Sequence, residues 1–294
     1  MNRNLASNQH NSIKKQLEDG ISVLMLDLHN PEKNSIKPII DSLKLKNEIV
    51  DIVQSFSEKF AESFSSAKKT NEQAIQLCHT SCALLNAGKL ELFLLDIKTF
   101  MDQNKNEVIT IIFENYDNFS SDEIISRFIK VGLYDYLFDY KNYSQPKFYW
   151  PDLKTMIKDN NRLVLFSDKL KENTNDTLET SFNNTAETIT ECKLANSNTK
   201  LKLLNHFASK FINIDIVKIQ VPETNKLIEL NSRQSILTQV QKCENEYTDF
   251  LPNFIVVDFY DVGRLLETVS VLNNVTFKTS KDRNNTFPII SKIS

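Results

Sequence analysis

The stretch QLEDGISVLMLDLH, Gln16 to His29, decides how the fold is read. Leu17, with Ile13 one turn earlier, gives residues 12–19 one apolar helical face, and Gly20 supplies the left-handed stop on which helices commonly end. Residues 21–26 (ISVLML) then form a near-continuous apolar run, the pattern of a strand covered on both faces in a parallel sheet. That strand delivers Asp27 to its end. A helix feeding a strand that closes on a polar residue is a unit that can repeat.

It does repeat. Residues 74–78 precede His79, 108–113 precede Glu114, 163–166 precede Ser167 and Asp168, 202–204 precede Asn205 and His206, and 254–257 precede Asp258. Helical periods at 90–101, 122–131 and 152–158 separate several of these runs, the last with Pro151 in its first turn. Strands alternating with helices predict an α/β fold with a parallel sheet. Polar residues at successive strand ends predict a TIM-type (β/α) barrel, in which reactive groups stand on that rim. A doubly wound open sheet ranks second, because it should carry a Gly-rich phosphate turn and the 4 glycines of this chain supply none.

One domain over 1–294 is expected, with a polar helical insertion at about 30–72. Its apolar stripe, Ile49, Val53, Phe56, Phe60 and Phe64, is read as packing on the domain. Residues 171–198 read as a polar surface excursion, and the aromatic stretch LYDYLFDYKNYSQPKFYW at 133–150 as core or rim packing.

A formal net charge of -3 leaves no basic stripe to neutralise phosphates, so nucleic acid is disfavoured as a partner. No run reaches the roughly 18 apolar residues of a membrane span, and the first residues lack the apolar core of a signal peptide. The 4 cysteines allow three pairings or buried thiols, which leaves the redox compartment open.

Asp27, His79, Glu114 and Asp258 form an acid/base constellation if each stands at the mouth of its own strand. A histidine flanked by carboxylates can donate a proton to a leaving oxygen, and converging carboxylates can instead hold a hard cation. Taken singly, each acidic residue reads equally well as a strand-end cap and His79 as a structural histidine.

The order QLEDGISVLMLDLH, QLCHTSC, NEVITIIFENY, WPDLKTMIKDNNRLVLFSD, LLNHFAS and LPNFIVVDFYDVG resembles the X-domain of phosphatidylinositol-specific phospholipase C, nearest to the single-domain PLC-like phosphodiesterases of fungi and plants. The resemblance runs from about Asn8 to Asn273, interrupted by the insertion. It implies a distorted TIM barrel in which the inositol 2-hydroxyl attacks the phosphodiester, with one histidine as base and a second as acid. His79 falls on the second histidine, Asp27 on a strand-end aspartate of the site, and Asp258 on the carboxylate that orients the first histidine. Glu114 falls on a calcium ligand of calcium-dependent relatives, so Ca²⁺ on Asp27 and Glu114 is the cation the resemblance implies. His29, Asp168 and Tyr260 join Glu114 as implied substrate-binding residues.

Departures qualify this. The T-H-N-S or T-H-D-S motif that carries the general base has no counterpart, since HNS at His10–Ser12 lacks an apolar strand before it and opens a helix. Met25 stands where calcium-dependent relatives carry a carboxylate, and His29 near a phosphate-binding arginine of metal-independent ones. The expectation is therefore a phosphoric diester hydrolase without its first strand and base, weak or inactive, acting as a monomer on phospholipid at a membrane surface. The alternative is a catalytically dead barrel that binds lipid or protein. Relatives are often secreted, so an extracellular full-length form is expected.

Overall fold

A computed structural model describes residues 7–31, 74–79, 82, 86–143, 150–169, 202–214, 217–247 and 251–277. The stripe expected within the insertion and the 171–198 excursion lie outside these residues.

Helix α1, Ile13–Asp19, opens where the Ser12 hydroxyl accepts the Lys15 N–H and closes on Gly20 at φ 100°. Strand β1, Val23–His29, runs three residues past the expected apolar run, so Asp27 lies within the strand rather than after it. Its length follows from its partner, β4, Ile109–Asn115, which pairs with it in parallel and sets Asp27 level with Glu114. Strand β5, Leu163–Ser167, continues the parallel ladder beyond β4.

On the other side of β1 the chain turns back. Strand β2, Gln76–Cys78, pairs antiparallel with β1, placing Leu77 opposite Leu28, and β3, Asn86–Lys89, pairs antiparallel with β2. The sheet order is β3-β2-β1-β4-β5.

Alternation along the strands sorts side chains onto two faces. Leu24, Leu26, Leu28, Ile109, Ile111, Phe113, Leu163 and Leu165 share one core with residues of α1, α2 (Leu90–Gln103) and α3 (Ser121–Val131). Each fully buried Leu or Phe there contributes about 1.5–3 kcal/mol relative to exposure. On the opposite face, Ile112, Val164 and Phe166, with Val23 and Met25, meet Phe138, Tyr140, Tyr143 and Trp150. The aromatic stretch is thus core packing, with Phe138 and Trp150 stacked at 5.3 Å. Leu203 of β6, Leu203–Asn205, and Phe254 and Val256 of β9, Phe254–Val256, close over the same face as a separate parallel pair.

The TIM-type barrel is not what the described residues form: they make an open five-stranded sheet beside two two-stranded ladders. A barrel needs every strand bonded to a neighbour on each side. Here the reversal of β2 turns the neighbour of β1 into a hairpin arm, and the outer edges of β3 and β5 join no other described strand of that sheet.

Asp152, not Pro151, begins the next helix, α4 (Leu153–Lys158), by accepting the Thr155 N–H. Sequence reading did not anticipate the antiparallel hairpin of β7 (Ser209–Ile214) and β8 (Val217–Pro222). Nor did it find α5 (Leu227–Leu230), α6 (Arg233–Glu246) and α7 (Leu265–Leu272).

Candidate active site

The apolar face lined by the aromatic core ends in a row of charge. On β1 the row Val23, Met25, Asp27 changes from hydrocarbon to carboxylate, on β4 Ile112 is followed by Glu114, and on β5 Val164 and Phe166 are followed by Asp168. The period of 2 that buries the apolar members aims these three acidic side chains to the same side, at the carboxyl end of the sheet.

His79 reaches that row by a route the sequence did not suggest. Because β2 runs antiparallel, the pairing of Leu77 with Leu28 sets Cys78 level with Asp27 and His79 one residue further. The imidazole Nδ1–H donates to Asp27 Oδ2 at 3.2 Å. Asp258 follows β9, and the fields of Asp258 and Glu114 both act on the same imidazole. The structure thus brings Asp27, His79, Glu114 and Asp258 together.

Burial disfavours the charged form of His79. The hydrogen bond and charge of Asp27, with the charges of Asp258 and Glu114, outweigh that, and its pKa is raised. Asp258 is pushed up to about 7, first by burial; His79 draws it down and the charge of Asp27 adds to the rise. Glu114 is raised by burial and then by Asp27, although it accepts the Tyr116 hydroxyl at 2.8 Å. Three groups in one site therefore hold protons above their ordinary range.

His29 is buried, stacked on Tyr116 at 4.6 Å, and 3.8 Å from Asp117, and its pKa is lowered by burial. Asp117 also accepts the Asn30 N–H at 2.6 Å, which anchors the end of β1. Asp168 accepts the Asn115 N–H at 2.7 Å, bonding β4 to the residue that follows β5. The Tyr260 hydroxyl donates to Asp19 at 2.8 Å and accepts from Asn11 at 3.0 Å, fastening α1 to the turn after Asp258. His10 pairs with Asp261 at 3.0 Å and lies against Phe259.

Tyr116, Asp117 and Lys169 were missed by sequence reading. Tyr116, two residues after Glu114, shares its side of the extended chain, a signal the period of 2 already carries. Lys169, whose Nζ lies 5.8 Å from the Tyr116 ring centroid and 3.7 Å from Asp168, is a cation on the rim with no motif to mark it.

The donor set does not suit Ca²⁺. Among the described residues no three His, Cys, Asp or Glu side chains converge as a metal group, whereas Ca²⁺ takes about 6–8 oxygens. Asp27 is engaged by His79 and Glu114 by Tyr116.

The PI-PLC X family model, described as PI-PLC X 1, matches residues 43–273, a range that holds His79, Glu114, Asp168, Asp258 and Tyr260 and begins after Asp27 and His29. The chain is 28% identical over 259 residues to "PI-PLC X domain-containing protein 1" of Arthroderma benhamiae, covering 81% of this chain and 82% of that one. It is 26% identical over 298 residues to an "Uncharacterized secreted protein" of the same organism, covering 93% of this chain and 58% of that one. The phosphatidylinositol-specific phospholipase C of Listeria monocytogenes shows a TM-score of 0.47 at 15% identity, covering 93% of this chain and 85% of that one.

Proposed function

The chain belongs to the PI-PLC X family, and on that premise we propose that it cleaves a phosphodiester in a phosphoinositide-type lipid head group at a membrane surface. The observation that carries this reading is the His79–Asp27 hydrogen bond on a rim shared with Glu114 and Asp258. With Nδ1 held by Asp27, the other ring nitrogen is left for the leaving oxygen, and the upward shift of its pKa by the neighbouring carboxylates favours the protonated ring that a general acid requires.

Four carboxylates would repel a phosphodiester if all were ionised. Glu114 and Asp258 bind protons above their ordinary range, which lowers that repulsion, and Lys169 adds positive charge on the same rim. In its ionised form Asp258 is the carboxylate we assign to take the proton of the attacking hydroxyl or water.

The test is ³¹P NMR of phosphatidylinositol vesicles incubated with purified protein. A water-soluble inositol phosphate should form, and His79→Ala should slow it about 10²-fold to 10⁴-fold. Equal turnover in His79→Ala would sink the assignment. A second reading is an inactive head-group binder, favoured by Met25, which stands on the site-facing side of β1 two residues before Asp27. It would be upheld by vesicle binding that survives His79→Ala with no product formed.

We also infer export. Cys78 and Cys82 are joined, Cys243 is disulfide-bonded, and no described cysteine is free. Such bonds persist in oxidising compartments.

A further inference from the structure

The Cys78–Cys82 disulfide spans four positions and encloses His79. Cross-links that close long loops restrict the unfolded chain most, so one this short does comparatively little for global stability. Its effect is local.

Locally, the imidazole needs help. The His79 side chain is 30% exposed, and Asp27 is the hydrogen-bonding partner seen for it, at 3.2 Å. The strand that carries it, β2, has three residues, and its pairing with β3 shifts register between Leu77 and Cys78, immediately before the histidine. A short strand ending on an irregularity directs its next side chain poorly. Both sulfur-bearing residues, by contrast, are buried: Cys78 is 3% exposed and Cys82 2%. The chain is thus pinned on both sides of His79, by the ladder through Cys78 and by the cross-link to Cys82.

We propose that the Cys78–Cys82 disulfide is a positioning element that holds the His79 imidazole on Asp27. It rests on the reading of His79 as the general acid, but its geometry can be tested without turnover. A hydrogen bond from Nδ1–H to Asp27 fixes the neutral ring in the tautomer protonated on Nδ1, whereas a released imidazole favours the proton on Nε2. Long-range ¹H–¹⁵N correlation of the imidazoles distinguishes the two. The chain has 4 histidines, and His79→Gln identifies the relevant signals.

In the oxidised protein, above the pH at which His79 loses its charge, the Nδ1–H form should dominate. In the Cys78→Ser, Cys82→Ser double variant it should give way to an averaged ring with Nε2–H prevailing. Cys243→Ala, which removes the disulfide on α6, should leave the His79 tautomer unchanged. A folded double-serine variant with an unaltered tautomer overturns the proposal. If that variant does not fold, Cys78→Val with Cys82→Ala, and the wild type treated with a phosphine reductant, repeat the comparison. Loss of the native amide spectrum in all three would make the cross-link a global staple and overturn the local role. Where turnover is present, opening the ring should lower kcat about 10²-fold with KM little changed. If the wild type shows no turnover, the general-acid reading fails while the tautomer comparison still decides the disulfide's role.

Discussion

At the amino end of the central sheet Arg162, 1% exposed, is surrounded by acceptors, whereas at the carboxyl end His79, Glu114 and Asp258 share one site in which proton affinities are displaced. The Arg162 guanidinium donates to the carbonyls of Met101, Asn104 and Glu107 and to the Asn160 side chain, and lies 5.0 Å from the Tyr136 ring centroid. Its charge thus meets carbonyls at the carboxyl end of α2, where the helix dipole favours a cation. The rim is arranged otherwise. Burial first, and the charge of Asp27 after it, keep protons on Glu114 and Asp258 above the ordinary carboxylate range. A charge buried for structure is saturated with partners; charges gathered at the rim retain the capacity to exchange protons.

The strongest challenge to this contrast is Arg162→Ala. Removing the guanidinium takes a donor from the carbonyls of Met101, Asn104 and Glu107, of which Asn104 also accepts the Glu107 N–H, so stability should fall by about 3 kcal/mol in urea titration. The His79 tautomer should be unchanged in the folded fraction. Loss of the rim geometry in that variant would show that the two ends are not independent.

Asn231→Ala probes the rim's support. The buried Asn231 amide donates to the carbonyls of Asp258 at 2.8 Å and Phe259 at 3.2 Å, and Phe259 sits at φ 51°, a left-handed conformation unfavourable for an aromatic residue. The loss should be about 2 kcal/mol, read by thermal unfolding.

The pH dependence sharpens the comparison. Asp258 and Glu114 have folded pKa values raised above their unfolded values, so stability is lost as pH rises from the ordinary carboxylate range, through about 7 for Asp258. His79 is also raised, so its contribution is present below about 6.5 and lost as pH rises through its higher folded value. All three act in the same direction, and the midpoint of thermal unfolding should be higher at pH 5.5 than at pH 9. Asp258→Asn should raise the unfolding midpoint at pH 9 and change it little at pH 4. A flat profile in the wild type would break the contrast.

The smallest effect is expected from Tyr116→Phe. It removes a hydrogen bond that lowers the Glu114 pKa, so Glu114 should titrate higher still by ¹³C carboxyl NMR, at a stability cost of about 1 kcal/mol.

Much of this was legible in the chain. The Gly20 stop, the apolar runs before Asp27, Glu114, Asp168 and Asp258, and the helices after Lys89 and Ser120 follow from local periodicity and capping, which neighbouring residues specify. His79 was named for the run before it, yet it meets Asp27 because β2 is reversed. The hydrogen bonds of Tyr260 to Asp19 and Asn11, far away in the chain, were not legible in any local pattern.

From the sequence alone came strands β1, β2, β4, β5, β6 and β9, their chemistry-bearing ends and the family resemblance, because alternation and helical period act over a few residues. Tertiary structure decided that the sheet is open, that β2 runs against β1, that Cys78 joins Cys82, and that four titratable groups share one rim. Strand direction, closure and proton affinity depend on residues far apart in the chain, whose meeting no local pattern encodes.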